Sequence, residues 1–197
     1  MIRVDIRAKW FGQTQVLGPV RFDIAPGETV ALVGPSGIGK STVLRIVAGI
    51  DQRFDGTVER PEEMAIVFQE PTLLPWRSAR DNLLLTQPGL TPEGAEQALE
   101  RVGLAGRGDA FPGHLSLGQQ RRLSLARAFA GVPELLIMDE PFVSLDPEMA
   151  EQMMALTEQL IAETRPATLF VTHAEAEAAR LATRVLHLDG QPATLVA

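Results

Sequence analysis

Two hydrophobic patterns alternate along the chain and together predict an α/β fold. Short apolar runs at residues 29–33, 64–68 and 135–138 are typical of buried parallel strands. Segments with helical spacing lie between such runs, for example at residues 42–48 and 148–162. This alternation predicts a mostly parallel sheet that is covered by helices.

The first part of the chain shows the period-two alternation of antiparallel strands. Residues 3–8 alternate weakly and are predicted to form an edge strand, and residues 20–24 alternate as a half-buried strand does. Residues 57–59 form a further short strand. We therefore expect an N-terminal antiparallel β subdomain. A terminal hairpin is predicted across Asp189 and Gly190.

The strand signals vanish from about residue 72 to residue 130. One helix is predicted to begin at Thr91, with proline in its first position, and to end at Gly103. Another begins with Ser116 as its cap. The pattern therefore predicts a single domain, in which residues 1–71 and 131–197 form the α/β core and residues 72–130 form an inserted helical subdomain.

A glycine-rich stretch between a predicted strand and a predicted helix matches the phosphate-loop pattern G-x-x-x-x-G-K-[ST]. Glycines let the backbone wrap a phosphate chain, and the loop amides and helix N-terminus then point at the anion. Lys40 is placed to neutralise the β- and γ-phosphates, and the Ser41 hydroxyl to ligate Mg²⁺. The alternative is an ordinary glycine turn. The predicted nucleotide-binding residues are Gly34, Pro35, Ser36, Gly37, Ile38, Gly39, Lys40, Ser41 and Thr42.

Further candidate groups follow predicted strands, where an α/β sheet places its ligand crevice. Asp139 and Glu140 end one apolar run. Asp139 would hold Mg²⁺, and Glu140 would orient and deprotonate the attacking water. Gln69 and His173 each follow another strand, where the amide can reach the metal or the water and the imidazole can reach the γ-phosphate. Solvated acids, a surface glutamine and a capping histidine are the alternatives.

Residues 115–120, Leu-Ser-Leu-Gly-Gln-Gln, open a predicted helix and form a second helix N-terminus suited to an anion. An ordinary capped helix is the alternative. With this stretch, the motifs resemble those of the nucleotide-binding subunit of ATP-binding cassette transporters, in the family's order and over nearly the whole chain. The resemblance equates residues 34–42 with the Walker A loop, Gln69 with the Q-loop, residues 115–119 with the signature motif, residues 135–140 with Walker B, residues 144–146 with the D-loop and His173 with the switch histidine.

The resemblance implies how ATP is bound and hydrolysed. Phe11 falls where the family has an aromatic residue that stacks on adenine, with Trp10 as the alternative. In the family two subunits pair head to tail, which implies a homodimer or a pair with a different cassette subunit. The partner's signature motif and D-loop then contact the bound ATP, through residues that correspond to Ser116, Gly118, Gln119 and Asp146.

Two residues depart from the family's usual pattern. Leu117 stands where the signature motif usually has glycine, and its bulk could shift the start of the helix. Hydrolysis and closure of the dimer would then change. Ile38 is larger than the residue usual at its place, although that position contributes backbone rather than side chain.

The segment after Gln69 indicates which transporters are most similar. Residues 67–77 resemble the same region of importers of the nitrate, sulfonate and taurine group, and of importers of thiamine precursors. Leu73, Leu74 and Trp76 form an apolar cluster there, and exposed clusters of this kind mark protein contacts. We expect them to contact the membrane permease, on the cytoplasmic face of the membrane. Packing inside the helical subdomain is the alternative.

Composition narrows the remaining choices. The net charge of −7 argues against general nucleic-acid binding, and the absence of cysteine excludes disulfides and thiolate sites. Neither a signal peptide nor a membrane span is apparent. The resemblance to the family favours the hypothesis of an importer ATPase. Alternatives are a soluble cassette ATPase that acts on a protein or nucleic-acid complex, a metabolite kinase, or a nucleotide switch without turnover.

Overall fold

The computed structural model describes residues 1–196, in which ten strands form two sheets and six α-helices are present. The strands are β1 (Ile2–Phe11), β2 (Thr14–Leu17), β3 (Val20–Ile24), β4 (Thr29–Val33), β5 (Asp55–Glu59), β6 (Met64–Val67), β7 (Leu135–Asp139), β8 (Ala167–Thr172), β9 (Arg184–Asp189) and β10 (Thr194–Val196). The helices are α1 (Lys40–Val47), α2 (Ala79–Leu84), α3 (Pro92–Arg101), α4 (Leu117–Phe129), α5 (Pro147–Thr164) and α6 (Glu175–Leu181), with one 3-10 turn at Pro112–His114.

The N-terminal strands form a four-stranded antiparallel sheet around β1. Residues 3–6 of β1 pair with β3 and also with β5, while Lys9, Trp10 and Phe11 pair with β2 after a register shift. The expectation that residues 3–8 form an edge strand is therefore wrong. Alternation reports which face of a strand is buried, and it carries no information about the number of neighbouring strands.

The second sheet has six strands in the order β10-β9-β4-β8-β7-β6. The pairs β4–β8, β4–β9 and β7–β8 are parallel, and β9–β10 is the predicted antiparallel hairpin. This confirms the prediction of a mostly parallel sheet with an antiparallel N-terminal subdomain. Because β4, β7 and β8 run in parallel, their carboxyl ends meet at one edge of the sheet, which is where the candidate site lies.

The chain divides into two compact units. The first unit comprises Met1–Ile66, Glu134–Glu140 and the chain from Arg165 onward, and its apolar core is shared by both sheets and α1. The second unit comprises Val67–Pro133 and Pro141–Thr164, and it contains α2 to α5. Helix α5 thus groups with the helical unit, whereas the sequence analysis assigned its residues to the core. Within residues 1–196, no helix has both the length and the apolar character that crossing a bilayer requires.

Helix α4 is the central helix of the second unit, with most of its residues buried. Arg121 of α4 is 8% exposed, and its guanidinium donates hydrogen bonds to the carbonyls of Pro141 (2.9 Å) and Val143 (3.1 Å). Burial lowers the pKa of Arg121. A second arginine of the helix, Arg127, donates to the carbonyls of Thr72 (2.9 Å) and Pro71 (3.2 Å). Two side chains of α4 therefore fix two separate loops of this unit.

We expect Arg121→Met to lower the free energy of unfolding by about 3 kcal/mol, because two partly buried carbonyls lose a charged donor. Chemical denaturation followed by circular dichroism measures this change. Arg107→Met is the matched control, since Arg107 is exposed and should change stability by less than about 0.5 kcal/mol. Equal unfolding free energies for the two variants would contradict the structural role of Arg121.

Candidate functional site

The phosphate loop joins β4 to α1, as the sequence predicts. Gly39 is the N-cap of α1, and no side chain caps the amide groups of its first turn. These amides therefore remain free to bind an anion. Lys40 begins the helix and is 4% exposed, and its Nζ donates to the carbonyls of Gly34 (2.8 Å) and Pro35 (2.9 Å). The ammonium group is thus held against the loop itself.

Two of the loop glycines have no substitute. Gly39 has a φ of 116°, and a Cβ added there would lie 2.8 Å from Leu17 Cδ2. A Cβ added to Gly34 would lie 2.4 Å from the carbonyl oxygen of Leu188. The loop can therefore lie close to the ends of β2 and β9 only because both positions lack a side chain.

Ser41 and Asp139 provide oxygen atoms of the kind that Mg²⁺ prefers. The Ser41 hydroxyl donates to Asp139 Oδ1 over 3.0 Å, although the two residues are far apart in sequence. Burial raises the pKa of the Asp139 carboxyl, and the hydrogen bond from Ser41 lowers it to a smaller extent. A hydroxyl and a carboxylate beside a phosphate loop fit Mg²⁺, which takes one or two protein oxygens together with phosphate oxygens.

We expect Asp139→Asn to stabilise the nucleotide-free protein at pH 7.5 and to reduce Mg²⁺-dependent activity on the order of a hundredfold. Because the Asp139 pKa is raised, the folded protein favours the neutral carboxyl. The stability that this carboxyl contributes is fully present at low pH and is lost as the pH rises through the folded pKa. The gain in melting temperature should therefore shrink as the pH is lowered. A melting temperature below that of wild type at pH 7.5 would contradict this explanation.

Glu140 lies between two basic side chains. Its Oε2 is 3.7 Å from His173 Nδ1, and its Oε1 is 4.0 Å from Lys40 Nζ. His173 follows β8 and its side chain is half-exposed. Burial lowers the pKa of Lys40, while Glu140 and Asp139 act in the opposite direction. The structure thus brings together Lys40, Ser41, Asp139, Glu140 and His173 within the first unit.

The backbone of Glu140 has a φ of 46°, in the left-handed region that non-glycine residues seldom adopt. Its N–H donates to the carbonyl of Val171 over 3.0 Å, which anchors this conformation to β8. Strain of this kind costs about 1–3 kcal/mol and persists where the surrounding structure imposes it, often at functional sites. The turn after β7 therefore sets the position of the Glu140 carboxylate.

Helix α4 begins at Leu117 with Ser116 as its N-cap. The Ser116 hydroxyl accepts from the Gln119 amide (3.3 Å), and the Gln119 side chain accepts from the Ser116 amide (3.0 Å). This capping box fixes the start of the helix, so the bulk of Leu117 does not displace it. The Leu117 side chain is 53% exposed, while Gly118 is buried.

The remaining candidates also belong to the second unit. Gln69 follows β6 and is exposed. Asp146 Oδ1 accepts from the Met149 amide over 3.0 Å at the start of α5. Ser144, two residues earlier, has a left-handed φ of 61°. Asp146 therefore has a helix-capping role in addition to the one predicted from the resemblance.

A cleft of about 560 Å³ lies on one side of the phosphate loop within the first unit. Phe11, whose cross-strand partner is the cleft residue Thr14, is 52% exposed, and so is Trp10. Strand β2 was not predicted, because it has no distinctive pattern, and the turn after β9 was predicted only as a hairpin turn and not as part of a site. The cleft is lined by Thr14, Gln15, Val16, Pro35, Ser36, Gly37, Ile38, Asp189, Gly190, Gln191 and Pro192.

Comparison with known proteins identifies the family. The model of the family described as ABC transporter matches residues 17–143. The chain belongs to the ABC transporter family. It is 47% identical to "Aliphatic sulfonates import ATP-binding protein SsuB 3" of Nocardia farcinica, over 96% of this chain and 78% of that protein. It is 46% identical to the SsuB 2 protein of the same description from Rhizobium johnstonii, over 95% and 77%.

Solved structures of ABC transporter cassettes have the same fold. The dimeric, post-hydrolysis structure of the ATP-binding cassette MJ0796, bound to ADP and Pi, superposes with a TM-score of 0.82 at 26% identity. The match covers 100% of this chain and 97% of that chain. The ABC family model spans the phosphate loop, α4 and β7. Phe11, Asp146 and His173 lie outside the matched residues, so their roles rest on the resemblance and on the contacts described above.

Proposed function

We propose that this chain is the ATP-hydrolysing, nucleotide-binding subunit that powers a membrane ABC importer for aliphatic sulfonates. One observation carries the proposal: Ser41, Asp139 and Glu140 converge on the phosphate loop, with Glu140 between Lys40 and His173. The solute class is supported by relatives at 46–47% identity whose names state aliphatic sulfonate import. Aliphatic sulfonates thus replace the broader expectation of a small anion, a sulfonate or a thiamine precursor as the proposed solute.

The site residues divide the chemistry among them. The loop amides and Lys40 bind the β- and γ-phosphates of ATP. Ser41 and Asp139 would hold Mg²⁺, which neutralises charge on the phosphate oxygens. Glu140 accepts a proton from water, whose oxygen bonds to the γ-phosphorus as the bond to the bridging oxygen of ADP breaks. His173 orients the Glu140 carboxylate, and Gln69 stays a predicted contact to the metal or the water.

Two copies of the chain pair head to tail around ATP. Each ATP then lies between the phosphate loop of one copy and Ser116, Gly118, Gln119 and Asp146 of the other. The Ser116 hydroxyl accepts the capping hydrogen bond, so its own proton stays free to donate to a phosphate oxygen. The dimeric cassette structures with a TM-score of 0.82 support this arrangement.

Free phosphate release from Mg²⁺-ATP by the purified chain tests the ATPase assignment. We expect ADP and phosphate in equal amounts, because water is the acceptor. A phosphorylated small molecule in place of free phosphate would contradict the assignment and favour a kinase. Within residues 1–196, no specific contact favours that alternative.

The segment after Gln69 supports a permease contact. Trp76 is 69% exposed, and Leu73 and Leu74 are half-buried. The fully buried Asn82 side chain accepts from the Leu74 amide (2.8 Å) and donates to the Leu74 carbonyl (3.2 Å). The loop is therefore fixed while Trp76 projects outward. We propose that these three apolar residues receive a helix of the permease, which holds the chain at the cytoplasmic face of the membrane.

We expect Trp76→Ala to weaken association with the membrane complex about thirtyfold, which is the effect of removing an aromatic anchor from an interface. Phosphate release by the isolated chain should be unchanged. Phe111→Ala is the matched control, because Phe111 is an exposed aromatic residue of the same unit. Normal assembly and normal transport by Trp76→Ala would contradict the proposed contact.

A further inference from the structure

Lys9 is one of the largest fully buried side chains of the described residues, at 1% exposure. Its Nζ lies 2.6 Å from Asp51 Oδ2 and donates to the Arg53 carbonyl over 2.7 Å. The Lys9 hydrogen bond is the main cause of a lowered pKa at Asp51. Buried charges are rare in proteins unless they are paired, and this one is paired with an aspartate 42 positions away in the chain.

The same ammonium group lies over one face of the Phe11 ring. Lys9 Nζ is 4.6 Å from the ring centroid, within the range of a cation–π interaction. Phe11 nevertheless remains 52% exposed, so the opposite face is open to solvent. Thr14, the cross-strand partner of Phe11, lines the cleft beside the phosphate loop. One ring face is therefore backed by a cation, and the strand pairing places the residue next to this cleft.

This contact separates the two exposed aromatic residues. Trp10 and Phe11 are equally exposed at 52%, so exposure does not show which of them receives the adenine base. Among the described residues, the cation–π contact is made by Phe11. A cation on one face of an aromatic ring withdraws electron density from the other face, which favours stacking of an electron-rich base there.

We propose that Lys9 is a positioning residue for the adenine base, acting through Phe11. The buried ammonium holds the ring in place and polarises it, so that its open face stacks on the base of ATP. This inference rests on the proposed function, because it needs ATP at the phosphate loop. A purely structural role, in which Lys9 only ties β1 to the segment after α1, is the competing explanation.

The two explanations differ in which ligand they affect. Tripolyphosphate occupies the phosphate loop but has no base, so a contact to the base cannot change its affinity. Loss of a structural contact would weaken the binding of both ligands. The ratio of the dissociation constants for ATP and tripolyphosphate therefore reports on the base alone.

The experiment measures both constants by isothermal titration calorimetry, with EDTA present to prevent turnover. It compares wild type, Lys9→Met, Phe11→Leu and the double variant. We expect Lys9→Met to weaken ATP binding about threefold to tenfold, and its affinity for tripolyphosphate to stay within about twofold of the wild-type value. In the Phe11→Leu background, Lys9→Met should have no further effect on ATP.

Asp51→Asn removes the charge of the ion-pair partner but keeps the Lys9 ammonium, so it can be measured if Lys9→Met does not fold. This variant keeps the ammonium over the ring, so we expect wild-type preference for ATP over tripolyphosphate. Equal weakening of both ligands in Lys9→Met, or an undiminished effect without Phe11, would overturn the inference. So would loss of the preference in Asp51→Asn. Wild type that bound neither ligand would overturn the proposed function, and this inference with it.

Discussion

Glu140→Gln will bind ATP about as tightly as wild type and release phosphate at least about a hundredfold more slowly. The amide cannot accept a proton from water at neutral pH, whereas it has nearly the shape of the carboxylate. Glu140 is also the residue whose oxygens lie 3.7 Å from His173 Nδ1 and 4.0 Å from Lys40 Nζ. Phosphate release and ATP affinity, measured on the same preparation, check both halves of this expectation.

The same variant should accumulate as an ATP-bound dimer, because the step that separates the two copies is blocked. Light scattering after gel filtration measures the mass with and without ATP. Glu62→Gln is the matched control, since it makes the same change at an exposed position of the first unit. Phosphate release by Glu140→Gln within about threefold of the rate for Glu62→Gln would show that another group is the base.

Lys40→Met will weaken ATP binding on the order of a hundredfold or more. The ammonium is 4% exposed and rests on two carbonyls of the loop, so its charge is held where the phosphates bind. Because burial lowers the pKa of Lys40, folding itself disfavours the charged form. Removal of the charge relieves this cost, but the two loop carbonyls lose their donor, so the loss of ATP affinity should far exceed any loss of stability.

Calorimetry with ATP and a thermal melt of the same sample measure the two effects. Arg45→Met is the control, because Arg45 is an exposed cation of the same helix. It should bind ATP within a few-fold of wild type. A Lys40→Met protein with ordinary ATP affinity would contradict the role given to Lys40.

Local patterns predicted the phosphate loop and its flanking elements well. The run that forms β4, the glycines and the spacing of α1 are adjacent in sequence, and each agrees with the others. The N-cap Ser116 was predicted for the same reason, since capping depends on residues three positions apart. Such features require no knowledge of distant parts of the chain.

Features that depend on distant partners were missed or wrong. β1 was predicted at an edge because its neighbours β3 and β5 come from separate segments. Helix α2 has six residues, too few for a clear period, and short helices of this kind depend on tertiary packing. The burial of Lys9 requires Asp51, which no local pattern connects to it.

In the candidate site, too, features with a local pattern could be predicted and features that depend on distant residues could not. Spacing alone left Gln69 and His173 as weak candidates, and the resemblance to the family gave them roles. The hydrogen bond between Ser41 and Asp139 and the approach of His173 to Glu140 come from the parallel pairing of β4, β7 and β8. The left-handed φ of Glu140 has no signal in the sequence, because glutamate is not a residue that favours this conformation.

ATP-driven uptake tests the central claim most directly. The complex would be purified from native membranes through a tag on this chain and reconstituted in liposomes with its solute-binding protein. We predict that a multi-span membrane protein copurifies and that a labelled aliphatic sulfonate is taken up with Mg²⁺-ATP but not in the Glu140→Gln complex. Recovery of soluble partners alone, with no membrane protein, would contradict the assignment to an importer.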